Sequence, residues 1–264
     1  LILLNKLKYG WIMKLFARLL GIVTLSVGFN AVAAESLTVA VAANVKFVFD
    51  ELKTEFRKSS GIDAKGVFAS SGKITAQIKS GAPYDVFLSA DMEFPQALYQ
   101  DGFAVAAPKV YARGVLVLWT LQPLDLSQGL VVLATPAVKK VAMANPKLAP
   151  YGREAMHALD YFKLRSAVEP RLIYGESIAQ VNQYIDTRSV EIGFTAKSVV
   201  LAPQMQGRGK WIEVPRESYQ PIEQGLVLLK HGAQSNAAAA KLFIEFMASA
   251  KARAILDKFG YILP

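Results

Sequence analysis

The 264-residue chain has no cysteine. Disulfides, iron–sulfur clusters and thiolate zinc sites are therefore excluded. Histidine is nearly absent: His157 and His231 are the only two. A multi-histidine metal centre is excluded, and a histidine-dependent triad has only these two to draw on. The chain is 53% hydrophobic and 19% charged, with 18 Gly and 12 Pro, which is neither a disordered nor a collagen-like composition. A dense basic run is also lacking. The net charge is +9, but residues 1–34 hold Lys6, Lys8, Lys14 and Arg18 and no acid. Without them 26 basic residues stand against 21 acidic ones, a scattered balance of +5. Nucleic-acid binding would need those charges gathered on one face, so no nucleic-acid partner is expected.

A membrane-spanning run is missing from the front of the chain. The apolar stretch 19–29 has 11 residues, against about 20 for a bilayer span. Lys14 and Arg18 precede it, and Ala31-Val32-Ala33-Ala34 follows with the small residues a signal peptidase accepts. That order reads as a cleavable export signal starting at Met13, with residues 1–12 upstream of it and cleavage after Ala33 or Ala34. The mature protein is then expected to be soluble and periplasmic, with no lipid-anchoring cysteine.

From residue 36 onward, strand and helix patterns alternate. Leu37, Val39 and Val41 alternate as in a strand. Val45, Val48, Phe49, Leu52 and Phe56 follow at helical spacing up to Gly61. Strands are expected at 62–68, 84–88, 115–119, 140–144, 171–174, 191–196 and 225–230. Helices are expected after Ser71, from Asp91, at 151–162, after Ser177 and within 237–258. Such alternation indicates α/β architecture with parallel sheets. The length suits two domains, each with its own core.

Four strand-to-helix junctions place a small or polar residue in the first helical turn: Asn44, Ser71, Tyr151 with Gly152, and Ser177 with Ile178. A helix start has unsatisfied N–H groups and about half a positive charge, a natural anion site. In open α/β sheets such junctions lie beyond the carboxyl ends of the strands. Asn and Ser are also ordinary caps, and spacing alone does not show that the four converge.

Longer segments narrow the reading. Val39-Ala-Val-Ala-Ala-Asn44, Phe68-Ala-Ser-Ser-Gly72, Gly81-Ala-Pro-Tyr-Asp-Val-Phe-Leu-Ser-Ala-Asp91 and the closing Phe259-Gly-Tyr resemble the periplasmic molybdate-binding proteins, the solute receptors of molybdate import systems. The resemblance covers the mature chain. It implies a type II periplasmic receptor fold of two α/β lobes with an oxyanion between them. It also implies that Asn44, Ser71, Tyr151 and Ile178 hold the ion, with Ala43 just before Asn44 where relatives carry a hydroxyl. Some relatives place a tyrosine hydroxyl near Ala196. Tyr151 or the Asn44 amide is the expected substitute here. Lobe 1 is expected at 35–114 plus 220–264 and lobe 2 at 115–219, hinged at 111–117 and 218–225. The expected ligands are molybdate and tungstate, with no further cofactor. The expected partner is an inner-membrane ABC permease, and the expected state is a monomer.

Molybdate is a dianion with four acceptor oxygens and no proton to give. A selective site for it needs donors only, and a contacting carboxylate would repel it. Helix starts supply the positive potential without Lys or Arg. Two alternatives remain: a receptor for another tetrahedral oxyanion such as sulfate, and a secreted acyl-transferase using the Ser70-x-x-Lys73 pair. The latter lacks its companion motifs. Asp85 and Asp91 read as a turn and a cap, and His157 as a half-buried structural residue.

Overall fold

The strand at Ser36–Ala42 (β1) is buried on both faces, with Leu37, Val39, Ala40 and Val41 all fully inaccessible. That pattern belongs to the centre of a parallel sheet. In the computed structural model, which describes residues 36–264, β1 lies between Asp63–Ala69 (β2) and Val86–Leu88 (β3), parallel to both. The export signal read at residues 1–34 lies outside the described residues. The helix Lys46–Ser60 (α1) connects β1 to β2 and turns Val48, Phe49, Leu52 and Phe56 inward. It ends at Gly61, whose φ of 75° is easy only for glycine. Each such buried side chain contributes about 1.5–3 kcal/mol. Ser71–Lys79 (α2) follows β2, and Glu93–Gln100 (α3) follows β3.

Lys109–Gly114 (β4) ends the first sheet, and the chain then crosses through Val115 into Leu116–Thr120 (β5) of a second sheet. That sheet adds Val141–Ala144 (β6), Leu172–Gly175 (β7), Ile192–Ala196 (β8) and Lys210–Glu213 (β9). Pro150–Tyr161 (α4) follows β6, Ile178–Asp186 (α5) follows β7, and Lys197–Val200 (α6) follows β8. After β9 the chain returns to Ile222–Leu228 (β10) in the first sheet. Lys230–Ser235 (α7), Ala237–Met247 (α8) and Ala250–Lys258 (α9) complete the fold. Phe243 of α8 meets Phe56 of α1 edge to face at 5.1 Å.

The sheet orders are β2-β1-β3-β10-β4 and β7-β6-β8-β5-β9. The two-lobed α/β class stands, but neither sheet is purely parallel. β10 runs antiparallel to β3 and β4, and β5 antiparallel to β8 and β9. These are the strands next to the crossings. A strand arriving from the other lobe has no βαβ connection to orient it parallel. Among the described residues no helix is long and apolar enough to cross a membrane.

Candidate functional site

The carboxyl ends of β1 and β2 face those of β6 and β7, and the loops beyond them enclose a cavity of about 10 Å³. Ala42, Ala43, Asn44, Ser70, Ser71 and Ala90 line it from the first lobe, and Ala149, Pro150, Tyr151 and Ile178 from the second. Ala43, Asn44, Ser71, Tyr151 and Ile178 therefore lie around one space, while Gly152 and Ser177, named with them at the junctions, do not line it. That size suits one small guest. None of the lining side chains is charged.

Each lobe brings helix starts to this cavity. Ser71 opens α2, Pro150 and Tyr151 open α4, and Ile178 opens α5. Asn44 sits in the single turn Ala43–Val45 that leads into α1. First-turn N–H groups have no acceptor inside their own helix. Gly152 permits the approach of α4: a Cβ there would stand 2.0 Å from the Ala144 carbonyl oxygen of β6. Ser71 is buried, and its Oγ accepts the Ala90 N–H at 3.0 Å. With that lone pair engaged, the hydroxyl proton is what Ser71 has left to donate. Ser70 caps α2 by accepting the Lys73 N–H at 3.4 Å, and it also lines the cavity. The sequence offers Ser70 only as the nucleophile of a Ser70-x-x-Lys73 pair, although its adjacency to Ser71 at the same helix start is a signal for the cavity.

Behind Asn44 lies a buried polar network. The Asn44 amide donates to Gln224 Oε1 at 2.9 Å and to the Tyr261 hydroxyl at 3.1 Å. The Asn44 backbone carbonyl accepts the Ser198 hydroxyl at 2.9 Å and the Tyr261 hydroxyl at 3.3 Å. Both amide protons are committed. The expectation that this amide replaces the missing tyrosine donor is therefore corrected: Asn44 has its backbone N–H to offer. Ala196, at the end of β8, does not line the cavity. The Tyr151 hydroxyl reaches Gly114 at the first crossing, where a Cβ would meet it at 2.0 Å. Burial pushes the Tyr261 hydroxyl up to about 12. Burial, with neighbouring tyrosines adding to it, pushes Tyr111 and Tyr151 well above their ordinary value.

Charge is kept to the rim. Lys73 Nζ meets Glu176 at 2.7 Å, and Arg153 meets Asp91 at 2.9 Å, Glu93 at 2.7 Å and Glu154 at 3.3 Å. Asp91 also accepts the Phe94 N–H, the cap foreseen for it. Burial pushes its carboxyl up, and Arg153, Phe94 and Ser89 pull it back only in part. Asp85 is fully buried and accepts from Thr38 N and Asn236 Nδ2. His157 is half exposed and pairs with Glu154. The Lys73 ammonium is held by Glu176, so it is not placed as a base for Ser70. Beside the cavity runs an open groove of about 700 Å³, bordered by Lys46, Phe47, Trp119, Gln180, Asp186 and Arg208 among others. Among the described residues no group of three or more acidic or histidine side chains is placed to hold a metal ion.

Residues 37–262 match the family described as bacterial extracellular solute-binding protein. The chain is 37% identical to the molybdate-binding protein ModA of Rhodobacter capsulatus, over 87% of this chain and 89% of that one. It is 36% identical to ModA of Azotobacter vinelandii, over 91% of this chain and 96% of that one. The solved periplasmic molybdate-binding protein of Azotobacter vinelandii superposes with a TM-score of 0.81 at 33% identity, over 86% of this chain and 99% of that one. These relatives are binding proteins and not enzymes. The chain belongs to the bacterial extracellular solute-binding proteins and, among them, to the family of the molybdate-binding proteins.

Proposed function

We propose that the protein is a periplasmic receptor that binds molybdate, and tungstate alongside it, between its lobes and hands it to the permease of an ABC importer. The carrying observation is a charge-free cavity ringed by helix starts from both lobes. The backbone N–H groups of Asn44, Ser71, Tyr151 and Ile178, with the Ser71 hydroxyl, are the donors in this reading. Each hydrogen bond to a charged group contributes about 1.5–3 kcal/mol. The helix starts add positive potential without a mobile cation. The mechanism is recognition, with no bond made or broken.

The two lobes, 35–114 with 220–264 and 115–219, turn about the crossings at 111–117 and 218–225 to admit and enclose the ion. The protein acts as a monomer, exported by the signal at its front, and the closed form docks on the permease. Cavity size is the feature that discriminates between oxyanions, since molybdate and tungstate are larger than sulfate and phosphate.

Calorimetric titration with molybdate, tungstate, sulfate and phosphate tests this reading. One equivalent of molybdate or tungstate is expected to bind, with sulfate and phosphate weaker. No heat with molybdate, or tighter binding of sulfate, would overturn it.

A further inference from the structure

The charged residues at the rim follow a pattern. Lys73 lies two residues after Ser71, Arg153 two after Tyr151, Glu176 two before Ile178, and Asp91 one after Ala90. Every cavity-lining loop named here thus carries a charge just outside the cavity. Each of these charges pairs with the opposite lobe. Lys73 of α2 meets Glu176, in the loop between β7 and α5. Arg153 of α4 meets Asp91 and Glu93 in the first lobe. Between the two pairs a backbone bond crosses as well, from Gly72 N to Leu148 O at 2.9 Å.

We infer that Lys73–Glu176 and Arg153–Asp91/Glu93 form a two-sided latch that holds the lobes together over the cavity and sets how long the ion is retained. The inference rests on the oxyanion reading for its ligand, but the latch itself is a property of the lobes. A dianion site bordered by Asp91, Glu93, Glu154 and Glu176 would repel its ligand if those carboxylates stood alone. Lobe contact brings Lys73 onto Glu176, and Arg153, already beside Glu154, onto Asp91 and Glu93. Opening separates Lys73 from Glu176 and Arg153 from Asp91 and Glu93.

The Arg153 side carries the larger effect. Asp91 is only 8% exposed as a side chain, while both partners in Lys73–Glu176 are more than a third exposed. Arg153 is also linked to the second crossing through Glu154. Its neighbour Glu154 is buried, touches Arg153 Nε and accepts the Gln220 N–H at 2.9 Å. A contact to the first lobe is thereby tied through α4 to the segment where the chain returns. Lys73, Glu176 and Arg153 are positioning residues on this account, since none of their side chains lines the cavity.

The absence of native cysteine makes a direct test possible. Spin labels on Gln100→Cys and Ser166→Cys, exposed positions on different lobes, report lobe separation by double electron–electron resonance. Stopped-flow chase with tungstate reports molybdate release. Lys73→Met or Glu176→Gln is expected to speed release about two- to fivefold. Arg153→Met is expected to speed it about tenfold. Each is expected to shift the ligand-free distance distribution toward greater separation. The exchanged pair, Lys73→Glu with Glu176→Lys, is expected to restore most of the retention. High salt should speed release from the unaltered protein more than from Lys73→Met/Glu176→Gln.

Unchanged release and unchanged distances in Lys73→Met and Glu176→Gln would overturn the latch, and those variants alter only exposed side chains. If the unaltered protein fails to bind molybdate while its lobe distances still respond to these substitutions, the oxyanion reading falls and the latch stands.

Discussion

Two spaces lie between the lobes, and they differ in almost every physical respect. One encloses about 10 Å³ and is walled by alanines, two serines, a proline and helix starts. The other is an open groove of about 700 Å³ edged by Lys46, Arg208, Asp186 and Glu176. Volume and formal charge alone would place an anion in the groove, beside the cations. Desolvation argues the other way. A lysine in open water is already hydrated and screened, so it adds little binding energy. A backbone N–H fixed at a helix start has no side-chain freedom to lose when it meets the ion. On the proposed reading, the comparison teaches that anion recognition uses oriented neutral donors, with the cations kept at the rim.

The most severe way to break the contrast is to displace a helix start. Gly152→Ala puts a methyl group 2.0 Å from the Ala144 carbonyl. Backbone must then move, so α4 shifts and the Tyr151 N–H leaves the cavity. Molybdate affinity is expected to fall more than about 100-fold, with a stability loss of about 1–3 kcal/mol, measured by calorimetry and by urea unfolding. Next comes Ser71→Ala, which removes a hydroxyl and leaves the Ala90 N–H without its acceptor. Loss of one charge-assisted bond predicts binding weaker by about ten- to 150-fold, with the circular dichroism spectrum unchanged. Unchanged affinity would remove Ser71 from the site.

The wall behind Asn44 gives a pH test. Tyr261 keeps its proton to about pH 12 in the fold, against 10 when unfolded. Between those values the unfolded chain has lost a proton that the folded chain retains. Stability therefore falls as pH rises, by about 1.4 kcal/mol per pH unit for each such tyrosine. Tyr111 and Tyr151 act in the same direction. Urea melts from pH 9 to 12 should show this slope, and Tyr261→Phe should flatten it by one proton.

The smallest effect belongs to the groove. Lys46 is exposed on its edge. Lys46→Met should slow molybdate association about two- to threefold at low salt and leave the dissociation constant within about twofold. An affinity loss matching that of Ser71→Ala would invert the comparison.

The cavity was legible in the sequence because its parts are local. A strand followed by a small or polar residue and then helical periodicity marks Asn44, Ser71, Tyr151 and Ile178 one loop at a time, and family resemblance joined them. What stayed hidden depends on distant pairing. Gln224 and Tyr261 back Asn44 from 180 and 217 residues away, and no local pattern announces that. β4 and β9 were not foreseen. They lie at the ends of their sheets, and the partly exposed strands Lys109–Gly114 and Lys210–Glu213 lack a clean alternation. The antiparallel strands were missed for a related reason, since strand direction follows from where the chain crosses. Asp91 reads as an ordinary cap, and nothing local marks Arg153, until the lobes are set face to face.

The most direct test is anomalous diffraction at the molybdenum edge from crystals of the protein grown with molybdate. The account predicts a single strong peak inside the small cavity, with its oxygens within hydrogen-bond reach of the Asn44, Ser71, Tyr151 and Ile178 N–H groups. A peak in the open groove beside Lys46 and Arg208, with the small cavity lacking one, would contradict it.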